Sequence, residues 1–230
     1  MNDNIRFVLF LFCVFFLVSS YAQNDLNSAQ KSYIKRINSA FNLKVKTGQS
    51  WSKSKVKFEE GIFIEDNQSV NFDKENSIRF GIEMEFIFAS SNKWSAFVEP
   101  TYDSYNSVQK LPSAIDNSNL TSVKIDYSYI EVPVGIRHHM YYGRSKLFLN
   151  FAVVLVADLN NEIDYEEQFE FENDLEIKSD LNLVLGFGYS FNERFSLEYR
   201  ISTTRDVLSK YASYQGPFKN SSLILGFRLF

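Results

Sequence analysis

Over residues 78–88 an apolar side chain falls on every second position. Ile78, Phe80, Ile82, Met84, Phe86 and Phe88 alternate with Arg79, Gly81, Glu83 and Glu85. A two-residue period belongs to a β-strand and predicts one apolar face and one charged face. The same alternation recurs along the chain and predicts eight strands, over 40–49, 76–89, 94–105, 123–140, 146–157, 177–190, 195–201 and 222–230. In the first, Phe41, Leu43, Val45 and Thr47 oppose Asn42, Lys44, Lys46 and Gly48; in the fourth, Ile130, Val132, Val134 and Ile136 oppose Glu131, Pro133, Gly135 and Arg137. Pro100 removes a ladder donor within the third strand and predicts a bulge or a local edge there.

Connection lengths alternate as regularly as the side chains. Long polar segments follow strands one, three, five and seven, and only a few residues follow strands two, four and six. An even number of strands of about 9–11 residues or more, with long loops at one end and tight turns at the other, predicts an all-β fold: an eight-stranded antiparallel up-and-down transmembrane β-barrel. The long loops are then external, and both termini lie on the periplasmic side. Closure follows from the solvent, because hydrocarbon offers no partner to an unpaired backbone amide.

Residues 7–18 are uninterruptedly apolar, too short a run for a spanning helix, and Ser20-Tyr21-Ala22 follows. This pattern predicts a signal peptide over 1–22 cleaved between Ala22 and Gln23, a short periplasmic segment over 23–38, and a barrel over 39–230. Cys13 is the only cysteine and lies inside the apolar run. Disulfides, thiol catalysis and cysteine metal sites are therefore not expected in the mature protein. A net charge of −4 argues against nucleic acid as a partner. Aromatic residues make up 17% of the chain although the mean hydropathy is only −0.21, which suits a wall that is apolar on one side alone.

Residues 129–137 (Tyr-Ile-Glu-Val-Pro-Val-Gly-Ile-Arg) and the strand Leu-Phe-Leu-Asn-Phe at 147–151 resemble the central hairpin of the outer-membrane β-barrel domain family common in Bacteroidota. Leu-Gly-Phe-Gly-Tyr at 185–189 and Arg-Phe-Ser-Leu-Glu-Tyr-Arg at 194–200 are similar to that family's sixth and seventh strands. The resemblance implies an OmpX/OmpA-like, porin-family-like barrel in the Gram-negative outer membrane. It also implies insertion by the barrel assembly machinery, which reads a C-terminal strand ending in an aromatic residue. Phe230 departs from this pattern, being out of phase with Leu223, Leu225, Phe227 and Leu229.

The charged faces supply the candidate site. Arg79, Glu83, Glu85, Glu99, Asp103, Glu131, Arg137, Glu198 and Arg200 are expected in the lumen. A barrel of eight strands is just wide enough for side chains to fill, so these residues predict a paired, structural polar plug. The acidic segment 158–180 lacks the glycine-centred EF-hand pattern and is expected as a solvated loop. His138 and His139 are adjacent on a strand and point to opposite faces, so they cannot hold one metal ion together. Trp94, Tyr141, Tyr142, Phe191 and Phe195 predict an aromatic girdle near the short turns, and Tyr102, Tyr105, Tyr127 and Tyr129 a second toward the long loops. The His-x-Ser pattern of barrel lipid A deacylases is absent, as are a P-loop and a Gly-x-Ser-x-Gly elbow.

No enzymatic activity, cofactor or metal is expected. The function predicted is that of a closed, monomeric barrel in contact with outer-membrane lipid, acting in envelope structure or surface contact through its external loops. One alternative is a narrow pore or an accessory barrel like that of the gliding-associated secretion system. The other is a secreted lipocalin-like carrier of apolar ligands.

Overall fold

The computed structural model describes residues 41–58, 69–71, 75–88, 93–112, 120–142, 145–165, 182–191, 194–206 and 214–229. The expected signal peptide, the Ala22–Gln23 cleavage site, the segment 23–38, residues 166–180 of the acidic stretch and Phe230 lie outside the described residues.

The strands in chain order are β1 (Phe41–Phe58), β2 (Ser69–Asn71), β3 (Glu75–Ile87), β4 (Trp94–Val98), β5 (Thr101–Pro112) and β6 (Leu120–Tyr142), followed by β7 (Ser145–Tyr165), β8 (Asn182–Phe191), β9 (Phe195–Ser202), β10 (Arg205–Asp206), β11 (Tyr214–Gln215) and β12 (Pro217–Arg228). All pairings are antiparallel, in the order β12-β9-β8-β7-β6-β4-β3-β1. β1 pairs back onto β12 from Lys44↔Arg228 to Ser54↔Phe218, which closes the ring. β4 and β5 share one wall position between β3 and β6, so the barrel has eight positions.

That split has a cause in two prolines. Ile82 N donates to Pro100 O at 3.1 Å, and Glu99 N to Pro133 O at 3.0 Å, but neither proline can return the bond. The ladder therefore loses one donor on each side of the same dipeptide. The register is unchanged across the break, from Met84↔Val98 to Phe80↔Tyr102 and from Trp94↔His138 to Thr101↔Glu131. The bulge expected at Pro100 is thus a ladder break without an inserted residue. A bulge does occur on the neighbouring pair, where the partners pass from Ser128↔Asn160 to Tyr129↔Asp158 and Leu159 is skipped.

Several strands outrun their expected ends toward the long connections. β1 continues to Phe58, β5 to Pro112 and β7 to Tyr165, while β12 begins at Pro217. Asp158, expected in a solvated loop, instead lies in β7 and accepts a hydrogen bond from the Tyr127 hydroxyl at 2.6 Å. The apolar face looks outward: Phe80, Phe187 and Leu225 are 58–59% exposed, whereas Glu83, Glu85 and Glu99 are fully buried. The molecule is inside out relative to a protein folded in water, and its core is the polar lumen.

Candidate functional site in the lumen

Strand phase puts the charged residues inside. Lys44 and Lys46 on β1, Glu83 and Glu85 on β3, Arg137 on β6 and Glu198 and Arg200 on β9 all alternate with wall residues, and Glu99 joins them from the proline break. Together they form a waist toward the short-turn end. Arg137 donates to both oxygens of Glu83 at 2.6 Å and reaches Glu85 at 3.0 Å. Lys44 bridges Glu83 at 2.6 Å and Glu85 at 2.7 Å. Arg200 holds Glu99 through Nη1 and Nη2 at 2.9 and 2.8 Å and meets Glu198 through Nε at 2.8 Å.

Lys46 ties the two halves together. Its ammonium contacts Glu83, and it reaches Glu99 at 2.7 Å and Glu198 at 2.8 Å. Those three carboxylates offer oxygens within 4.8 Å of one another, a spacing fit for a metal ion, but the lysine nitrogen already serves as their cation. The waist therefore holds four acids and four bases, Glu83, Glu85, Glu99 and Glu198 against Lys44, Lys46, Arg137 and Arg200. Such a network survives burial because each charge is compensated and hydrogen-bonded. Asn150 completes it, accepting from Arg137 Nε at 2.6 Å and donating to Glu198 at 2.7 Å.

Small residues make the room. A Cβ on Gly186 would stand 2.7 Å from Glu198 Oε1 and 3.3 Å from Asn150 Nδ2, so any larger residue there would have to push the carboxylate out of its place.

A looser tier lies toward the long connections. Arg79 is 3.5 Å from Glu131 and 3.8 Å from Asp103, and Arg205 is 3.4 Å from Glu131. Asp103 accepts from Ser50 and Ser77 at 2.6 Å each. The Arg205 guanidinium lies 4.6 Å from the ring of Tyr129 and 4.9 Å from that of Phe218. Tyr127 stacks on Tyr129 at 4.6 Å, and Tyr105 meets Phe218 edge-on at 5.4 Å.

All nine residues expected in the lumen are buried. Six of them share the waist, and Arg79, Asp103 and Glu131 form the upper tier. Lys44, Lys46, Asn150 and Arg205 are further members. The phase of β1 already carried the signal for both lysines, opposite Phe41, Leu43 and Val45, whereas Arg205 follows a strand break at Thr203-Thr204 that hides its phase. The upper girdle needs correction. Tyr102 faces outward at 43% exposure, but Tyr105, Tyr127 and Tyr129 are buried inside, in phase with Glu131 and not with Ile130.

The two histidines separate as their adjacency requires. His138 packs on Trp94, ring centroids 4.6 Å apart. His139 Nε2 is 3.0 Å from Ser95 Oγ and 3.1 Å from Glu85. Serine and glutamate thus meet the same ring nitrogen. A serine nucleophile relay needs them on opposite nitrogens, so this trio is not arranged as one.

The model of the family described as outer membrane protein beta-barrel domain matches residues 21–203. The chain belongs to that family. Among solved structures, the fold is similar to the attachment invasion locus protein Ail of Yersinia pestis, solved with the heparin analogue sucrose octasulfate (12% identity, 83% of this chain and 100% of that one, TM-score 0.47). It is also similar to OprG of Pseudomonas aeruginosa (12% identity, 83% and 96%, TM-score 0.47) and to Neisserial surface protein A (12% identity, 82% and 97%, TM-score 0.42). No curated protein matches the sequence.

As an outer membrane β-barrel domain, the protein resides in the outer membrane of a Gram-negative bacterium, and its exposed apolar belt contacts lipid. The lipocalin-like alternative does not hold. A carrier in water needs an apolar lumen and a solvated wall, and here the two are reversed.

Proposed function

We propose that this barrel is a closed, non-enzymatic envelope protein whose wall and plug serve to present its long connections at the cell surface, in envelope structure or surface contact. The observation that carries this reading is the electroneutral waist. Eight paired charges meet across a lumen that eight strands leave just wide enough for side chains to fill, which supports the closed reading. Arg79, Glu83, Glu85, Glu99, Asp103, Glu131, Arg137, Glu198 and Arg200 act here as structure, with no cofactor. In the same reading the signal peptide is removed between Ala22 and Gln23, segment 23–38 precedes the barrel, and assembly as a monomer is guided by the C-terminal strand.

Planar-bilayer recording of the purified protein tests the proposal. A quiet bilayer is expected, although protein is shown by protease protection to be inserted. Stable unitary currents would instead support the narrow pore or secretion accessory.

A further inference from the structure

The outer wall changes chemistry around β1. On either side of it the outward apolar files end at one level, with Ile78 on β3 and Leu223 on β12, both exposed. Asn76 and Ser221 follow on those strands toward the long connections. Gln49 of β1 is the register partner of both Ile78 and Leu223. Trp51 comes next on the same face of β1, and Lys53 after it.

Two features of this patch are uncompensated within the protein. Lys53 is the direct register partner of Lys219 on β12, and both are exposed. Like charges directly opposite destabilise a strand pair, yet neither lysine has an ion pair among the described residues. On the other side of the barrel the register instead sets Lys124 of β6 opposite Asp164 of β7, an acid for a base. The second feature is the Gln49 amide, which is exposed at the edge of the lipid-facing belt and has no hydrogen bond among the described residues.

The two features are independent and point to one occupant. A pair of ammonium groups is matched by an anion with several oxygens, as a phosphate is. Trp51, between them and the belt, has the side chain favoured at the water–lipid interface. Gln49 lies four residues below Lys53, about 13 Å along the strand at ~3.3 Å per residue. That is the level at which the polar linkages of a lipid's chains lie beneath its headgroup, given the reach of a lysine.

We infer that the β1–β12 seam carries an outer-wall site for a phosphorylated lipid of the leaflet on the long-connection side. Lys53 and Lys219 hold its phosphate, and Gln49 meets the polar linkages of its chains. The lipid thereby clamps the first strand of the barrel to the last. This site needs only the outer-membrane location and is separate from whether the lumen conducts.

Native mass spectrometry of the folded barrel, released from detergent in the presence of diphosphorylated lipid A or the same lipid without its phosphates, tests the site. The parent protein should retain the phosphorylated form more than about tenfold better, and Lys53→Gln with Lys219→Gln should abolish that preference. Lys53→Arg with Lys219→Arg keeps both charges and should keep the preference. Gln49→Leu should weaken retention of both lipids alike, and Lys124→Gln should change neither. Heat-modifiable gel migration establishes that each variant is folded, and the single lysine variants serve if the double variant is not. Equal retention of the two lipids by the parent overturns the inference, as does a loss with Lys124→Gln equal to that of the seam variant. Displacement of the lipid by millimolar inorganic phosphate would assign the lysines to a free anion and overturn the lipid.

Discussion

Arg137 on β6 crosses the lumen and donates from both Nη atoms to the two oxygens of Glu83 on β3, at 2.6 Å each. Parallel two-point contacts of this kind fix direction as well as distance, so the pair sets how two wall strands face each other. Replacing Arg137 with Met strands Glu83 and Glu85 in the waist with less positive charge. The loss should be about 3–5 kcal/mol, as for other broken buried pairs. Urea unfolding in lipid vesicles, followed by heat-modifiable gel migration, measures it, and adding Glu83→Leu to Arg137→Met should recover part of the loss.

Lys46→Met removes the cation shared by Glu83, Glu99 and Glu198, whose oxygens lie within 4.8 Å of one another. Three carboxylates at that spacing are the hard oxygen set that calcium takes. Calcium should therefore raise the unfolding temperature of the variant and leave the parent protein unchanged. Equal calcium responses in the two proteins would contradict the assignment of Lys46 as the resident cation.

On the outer wall the rule reverses. Ile82 is half exposed to the lipid side, next in sequence to the fully buried Glu83. Arginine at position 82 should cost about 2–4 kcal/mol near the bilayer midplane. Unfolding of Ile82→Arg in vesicles reads that cost directly, and a neutral result would mean that this face does not meet hydrocarbon.

Gly186→Val tests the fit of the waist. Even the first carbon of the side chain would press on Glu198 Oε1, now 2.7 Å from the Asn150 amide that holds it. Overpacking of this size costs about 1–3 kcal/mol, and the variant should show a lower urea midpoint at an unchanged slope.

Period-two alternation made the barrel legible because lipid and lumen demand opposite chemistry from neighbouring residues. The same signal, followed through β1 and β6, also tells that Lys44 and Lys46 enter the plug and that Tyr127 and Tyr129 turn inward. Position along the chain misleads for those tyrosines, since closeness to a loop says nothing about which face a ring takes. Strand ends carry a weaker signal. Asp158 belongs to β7 despite its acidic surroundings because Tyr127 across the pair supplies a hydroxyl for it, a contact no local pattern carries. Arg205 lies beyond an interrupted strand, where phase cannot be counted through Thr203 and Thr204.

The waist also has a consequence for the order of assembly. Lys46 and Glu198 are 152 residues apart in sequence, and they meet only when the first and last strands have found each other along the Lys44–Ser54 seam. The β6–β7 hairpin can form from neighbouring residues alone, but the charge lock cannot, because contacts this distant pay their loop-closure entropy first. Until the seam shuts, its ions must keep their water. Dehydration of the waist therefore waits on closure of the wall along that seam.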